Sequence, residues 1–101
     1  MYVSRMSFYT RPGHTEQVAQ RLCKLAEMIE HNGTRRPRVL RVSFSSSGAP
    51  DLQLEQEWDS LADLERGIHG VIDKDEFRAW SAETSELLLQ VPKREVLMIE
   101  G

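Results

Sequence analysis

The chain has 101 residues, 40% of them hydrophobic and 29% charged, and a formal net charge of −3. That length suits one domain with a modest core, and the composition excludes a disordered chain. The acidic balance argues against a general attraction to nucleic acid or to an anionic membrane.

One cysteine, Cys23, leaves no internal disulfide framework and suggests a reducing compartment. The opening residues lack the basic-then-apolar pattern of a secretory signal, being interrupted by Arg5 and Ser7. No apolar run approaches the roughly 20 residues that span a bilayer. A cytoplasmic protein with no membrane partner is expected.

Residues 2 to 9 alternate, with Tyr2, Met6 and Phe8 on one side and Val3, Arg5, Ser7 and Tyr9 on the other. This is the period-two pattern of a strand, and Arg11-Pro12-Gly13 ends it. A helix opens at His14 or Thr15 and carries Val18, Leu22, Leu25 and Ile29 at helical spacing, with Ala19 and Ala26 widening the stripe. His31-Asn32-Gly33 should stop it, because Asn and Gly tolerate the left-handed conformation of a C-terminal cap.

After Pro37, Leu40, Val42 and Phe44 oppose Arg41 and Ser43 in a second alternating segment. A loop over Ser45-Ser46-Ser47-Gly48-Ala49-Pro50 leads to a third, with Leu52, Leu54, Gln56 and Trp58 on one face and Gln53, Glu55 and Glu57 on the other. Folding this hairpin symmetrically about Gly48 sets Val42 opposite Leu54, Phe44 opposite Leu52 and Arg41 opposite Glu55. Apolar then meets apolar and cation meets anion across the strands.

Ser60 is suited to cap a helix, with Asp63 three residues on. Leu61, Leu64 and Ile68 form the inner face of a short helix that His69-Gly70 should close. A second helix is predicted from Asp73 to Gln90, with Phe77, Trp80, Thr84, Leu88 and Val91 as its stripe, Leu87 beside Trp80, and Pro92 as its stop. The last strand, Glu95 to Glu100, is apolar on both faces through Val96, Leu97, Met98 and Ile99.

The resulting β-α-β-β-α-α-β order predicts a single ferredoxin-like α+β domain: a four-stranded antiparallel sheet with helices on one face. The final strand falls at an edge in that topology and needs a cover. A homodimer supplies one.

With this layout, Glu57-Trp58-Asp59-Ser60 and Phe77-Arg78-Ala79-Trp80 make the chain resemble the dimeric α+β barrel superfamily, nearest to antibiotic biosynthesis monooxygenase-like and NIPSNAP-like domains. The resemblance covers nearly the whole chain and is specific for fold rather than activity. It implies two sheets, one per subunit, forming a barrel, and a pocket between the helices and sheet of each monomer. Members include cofactor-independent oxygenases, haem-degrading enzymes, isomerases, lyases and proteins without known activity, and a fold so widely shared does not license a function. Haem-degrading members carry a first-strand Asn, a Trp late in the short helix and a His on the long helix. Aligned through Gly13 and Trp58, those places hold Met6, Gly67 and Ser81, which argues against haem chemistry.

His14 and His31 flank the first helix, where polar residues serve as caps, and no histidine pairs with another at metal-ligand spacing. His69 lies between the two later helices, near the implied pocket. It reads first as a helix-terminating residue before Gly70 and second as a catalytic group exchanging a proton with a phenolic or enolic substrate. Trp58, Trp80, Phe77, Phe8 and Tyr9, with Phe44 and Met98, are either plain core or the lining of a cavity for a small aromatic ligand. Arg5, Arg41, Ser7, Ser43, Gln53 and Glu55 populate the other sheet face, more readily as an ion-pair network than as an anion site. The basic stretch Arg35, Arg36, Arg38 and Arg41 has no aromatic interleaving or nucleic-acid module around it.

Cys23 reads as a small hydrophobe beside the buried stripe. No phosphate-binding glycine loop, Ser-His-Asp arrangement or Cys-x-x-Cys occurs, so no cofactor is expected. Two functions are consistent with these residues. One is a cofactor-independent monooxygenase-like enzyme acting on an aromatic or polyketide-like substrate. The other is a non-catalytic binding or stress-related protein of the same fold.

Overall fold

The computed structural model describes residues 1–101. Its elements are β1 (Tyr2–Phe8), α1 (Thr15–His31), β2 (Arg38–Arg41), β3 (Leu52–Trp58), α2 (Leu61–Ile72), α3 (Asp75–Ser85) and β4 (Lys93–Met98). The four strands form one antiparallel sheet in the order β2-β3-β1-β4, so β4 is an edge strand. This is the ferredoxin-like α+β fold that the alternating and helical patterns predict.

Helix α1 buries Val18, Leu22, Leu25, Ala26 and Ile29 on one stripe. These pack on Phe8, Leu52 and Leu54 of the sheet to make the core, joined by Val71 and Leu88. The helix ends where its cap residues require. The Asn32 side chain donates to the Met28 carbonyl at 2.8 Å, and Gly33 takes φ +87, a conformation a side chain would strain. Cys23 departs from expectation: it is exposed, on the solvent side of α1.

The hairpin register is corrected by three residues. Arg38 lies opposite Glu55, Val39 opposite Leu54 and Arg41 opposite Leu52. The expected partners of Leu54 and Leu52 are displaced: Val42 lies beyond β2, and Phe44 stands in the connecting loop, 98% exposed. The odd shift also exchanges the faces of β2, because side chains alternate with period two.

In this register Glu55 is fully partnered. It is only 7% exposed, and its carboxylate receives Arg5 Nε at 3.0 Å from β1 and the Arg38 guanidinium from β2. The expected register would have offered Arg41 in place of Arg38; Arg41 instead pairs with Glu16 of α1 at 2.6 Å. Burial pushes the Glu55 pKa up, but hydrogen bonds from Arg5 and Arg38, and then their charges, outweigh it and hold the carboxyl below its ordinary value.

Ser60 caps α2 as expected, its hydroxyl accepting the Asp63 N–H at 3.1 Å. His69-Gly70 does not close this helix, which continues to Ile72, so His69 lies inside α2. Helix α3 stops at Ser85, well short of Gln90. The segment after it bonds to the end of β1: Leu89 N donates to the Tyr9 carbonyl at 2.8 Å and Arg11 N to the Leu87 carbonyl at 2.9 Å. A continued helix would leave those groups of Tyr9 and Arg11 without partners. Leu88 is thereby buried from an extended segment, while Val91 is exposed rather than part of a stripe.

β4 starts at Lys93, two residues earlier than predicted. The helices pack on β2 and β3, leaving the edge strand open: Val96 is 45% and Met98 58% exposed.

Replacing Glu55 by Gln keeps its shape and removes its charge. The substitution is expected to cost about 1–2 kcal/mol at neutral pH, less than breaking a fully buried pair, because both guanidinium groups reach solvent. The native pKa of Glu55 lies below its ordinary value of 4.5. The wild-type advantage is therefore full above the unfolded-state value and is lost as pH falls through the native one. Urea unfolding of both proteins between about pH 7 and about pH 3 measures this. A gap that stays constant or widens on acidification contradicts the assigned role.

Candidate functional site

Between α2 and the helix-facing side of the sheet lies a cavity of about 50 Å³. Ser4 and Met6 of β1, Leu54, Gln56 and Trp58 of β3, and Arg94 of β4 contribute from the sheet. The helices contribute Leu25, Ile29, Gly67, Ile68, Val71, Ile72 and Phe77. The space exceeds the roughly 10–15 Å³ that one water needs and falls short of the ~150 Å³ of a cavity that takes up benzene.

Trp58 closes β3, and its alternation with Leu54 and Gln56 turns the indole toward the helices. The Ser60 cap starts α2 at once, so the helix passes back over that ring. They meet at Gly67: a Cβ on this residue would stand 2.1 Å from Trp58 Cη2 and 2.6 Å from Cζ3. No side chain fits there while the indole keeps its place. The indole N–H is buried without an acceptor, which costs about 1–3 kcal/mol relative to a paired donor.

Arg94 is the only ionisable residue lining the cavity. It lies opposite Met6 in the sheet, and its Nη2 stands 3.1 Å from Met6 Sδ. No carboxylate reaches it within ion-pair distance, whereas Arg5, Arg21, Arg35, Arg36, Arg38, Arg41, Arg66 and Arg78 each have one. The residue is exposed overall, yet desolvation of the guanidinium lowers its pKa.

Of the residues singled out from sequence, Trp58 and Phe77 meet at this cavity. Trp80 stacks on Phe77 with ring centroids 5.9 Å apart, but its Nε1 donates to the Arg21 carbonyl at 2.7 Å, between α1 and α3 and away from the lining. Phe8 is fully buried in the core. Tyr9 lies past the end of β1, with Lys93 Nζ 5.4 Å from its ring centre. Phe44 and Met98 are exposed and lie outside the lining of this cavity. His69 is exposed and outside the lining, although its neighbour Ile68 is inside it.

Sequence reading passed over Gly67 as a site residue and Arg94 altogether. A glycine within a good helical pattern was a signal for the first. Starting the last strand at Glu95 concealed the second, because Arg94 shares the Val96 and Met98 side of β4.

Two substitutions in α2 separate the Trp58 contact from helix propensity. Gly70 has open space where a side chain would go, so Gly70→Ala should stabilise by about 0.5–1 kcal/mol. Gly67→Ala carries the same propensity gain but displaces the indole, and a net loss of about 1–2 kcal/mol is expected. Introducing Gly67→Ala into a Trp58→Leu background should restore the gain. Chemical denaturation of the four proteins tests this, and equal effects of the two alanines would contradict the contact.

No protein-family model matches the sequence, and no curated protein matches it. Solved structures do match. A NIPSNAP-like domain protein from Burkholderia xenovorans superposes with a TM-score of 0.77 at 14% identity, over 97% of this chain and 84% of that one. A candidate antibiotic biosynthesis monooxygenase from Nitrosomonas europaea gives 0.72 at 13% identity over 100% of both chains. A dimeric protein of unknown function and ferredoxin-like fold from Bacteroides fragilis gives 0.67 at 13% identity, over 97% of this chain and 95% of that one. The chain thus has the fold of antibiotic biosynthesis monooxygenase-like and NIPSNAP-like domains, as its strand-Trp-Asp-Ser layout implies.

Proposed function

We propose that this protein is a homodimer that binds a small, mainly apolar molecule in the cavity beside Trp58. The observation that carries the reading is the cavity itself: a concave, largely apolar space with a few polar groups, the lining chemistry of a small-molecule site at far less than the usual volume of about 300 Å³ or more. Support for the dimer comes from the uncovered apolar residues Val96 and Met98 of edge strand β4 and Ile99 just after it, and from the dimeric state of the B. fragilis protein of the same fold. Binding is favoured over catalysis because no carboxylate or imidazole lines the cavity.

A second reading is cofactor-independent oxygenation of an aromatic substrate. It is favoured by the aromatic walls Trp58 and Phe77 and by the likeness to the N. europaea protein. In this reading His69, next in sequence to the lining residue Ile68, takes the substrate proton. A cavity of about 50 Å³ must open before a ring enters, which sets a further requirement on this reading.

Light scattering at micromolar concentration should return twice the chain mass of 11.6 kDa; a monomeric mass refutes the dimer. A panel of quinones and hydroxynaphthalenes followed with an oxygen electrode should show no turnover. Oxygen uptake abolished by His69→Ala would establish the second reading in place of the first.

A further inference from the structure

We propose that the ligand of this cavity is a short-chain carboxylate, its apolar tail enclosed between α2 and the sheet and its anionic end held by Arg94. The inference rests on the cavity being a ligand site and names the class of ligand it selects.

Three observations converge on it. Eight of the other arginines sit within ion-pair distance of a carboxylate, while the one at the cavity faces only a thioether sulfur, Met6 Sδ. A guanidinium at the edge of an apolar cavity, where desolvation lowers its pKa, gains from an anionic acceptor through charge-assisted hydrogen bonds. The forked donor geometry of Arg matches a carboxylate through two parallel bonds.

Among the other lining residues, Ser4 and Gln56 add polar atoms and the remainder are apolar, glycine or the Trp58 ring. The site therefore holds one cation and contains no anion of its own.

Size narrows the class. About 50 Å³, a third of the ~150 Å³ of a benzene-binding cavity, leaves room for an unbranched tail of about two or three carbons and not for a ring. The lining side chains offer polar atoms to the tail only from Ser4 and Gln56, so a hydroxylated or sugar-like tail would lose hydration without return.

The test is a titration of the full chain with butanoate and with its neutral amide, followed through the two indole N–H signals in ¹⁵N–¹H spectra. Trp80, bonded to the Arg21 carbonyl, is the internal control. The Trp58 signal should shift with the acid, and the amide should bind about ten-fold more weakly. Arg94→Gln should erase that preference, and Arg94→Lys should keep part of it. Equal binding of acid and amide, or a preference that survives Arg94→Gln, overturns the carboxylate assignment while leaving the cavity a ligand site. No shift with either compound overturns both.

Discussion

The contact on which the helix layer depends is the Trp58 indole lying against the bare backbone of Gly67. A large ring at the end of a central strand would ordinarily hold a covering helix away by a full side chain. Glycine at the crossing lets α2 approach the ring, and the Ser60 cap sets where that helix begins. The ring then occupies the place that a side chain from α2 would otherwise fill. The space left beside it is the cavity, so one close approach both seats the helix and creates the pocket. The energetic consequence is visible in the same residue, whose N–H has been taken from water and given no acceptor.

A second constraint acts on the opposite face of the sheet. Glu55 is nearly enclosed, and a carboxylate so placed is tolerated only with partners. It takes one guanidinium from each neighbouring strand, Arg5 from β1 and Arg38 from β2. That requirement ties three strands together. In the observed register Arg38 meets it, and Arg41 is left to pair with Glu16 of α1.

The coverage of the sheet is uneven, and the proposed function draws on where it stops. Helices pack over β2 and β3, while the far edge, β4, keeps its helix-facing side chains partly in solvent. Arg94 stands at this boundary, an exposed residue whose Nη2 meets Met6 Sδ. In the proposed function, ligand access and self-association both draw on one feature, a sheet wider than its helical cover.

The sequence alone determined the parts that depend on near neighbours. The extents of β1 and β3, the stripe and both ends of α1, the Ser60 cap and the element order follow from alternation, helical spacing and local capping chemistry, which operate over a few residues. The resemblance through Trp58-Asp59-Ser60 added the pocket's general place, and Trp58 and Phe77 were named for it. Tertiary structure decided what depended on partners distant in the chain. Arg41 pairs with Glu16 of α1, outside the hairpin, so the hairpin register could not be settled from the hairpin. The backbone groups of Tyr9 and Arg11 needed partners, so α3 ended early and Leu88 entered the core from an extended segment. Gly67 and Arg94 became site residues only when α2 and β4 were placed against Trp58 and Met6. In each case a polar group or a close approach was satisfied by a residue that no local pattern could supply.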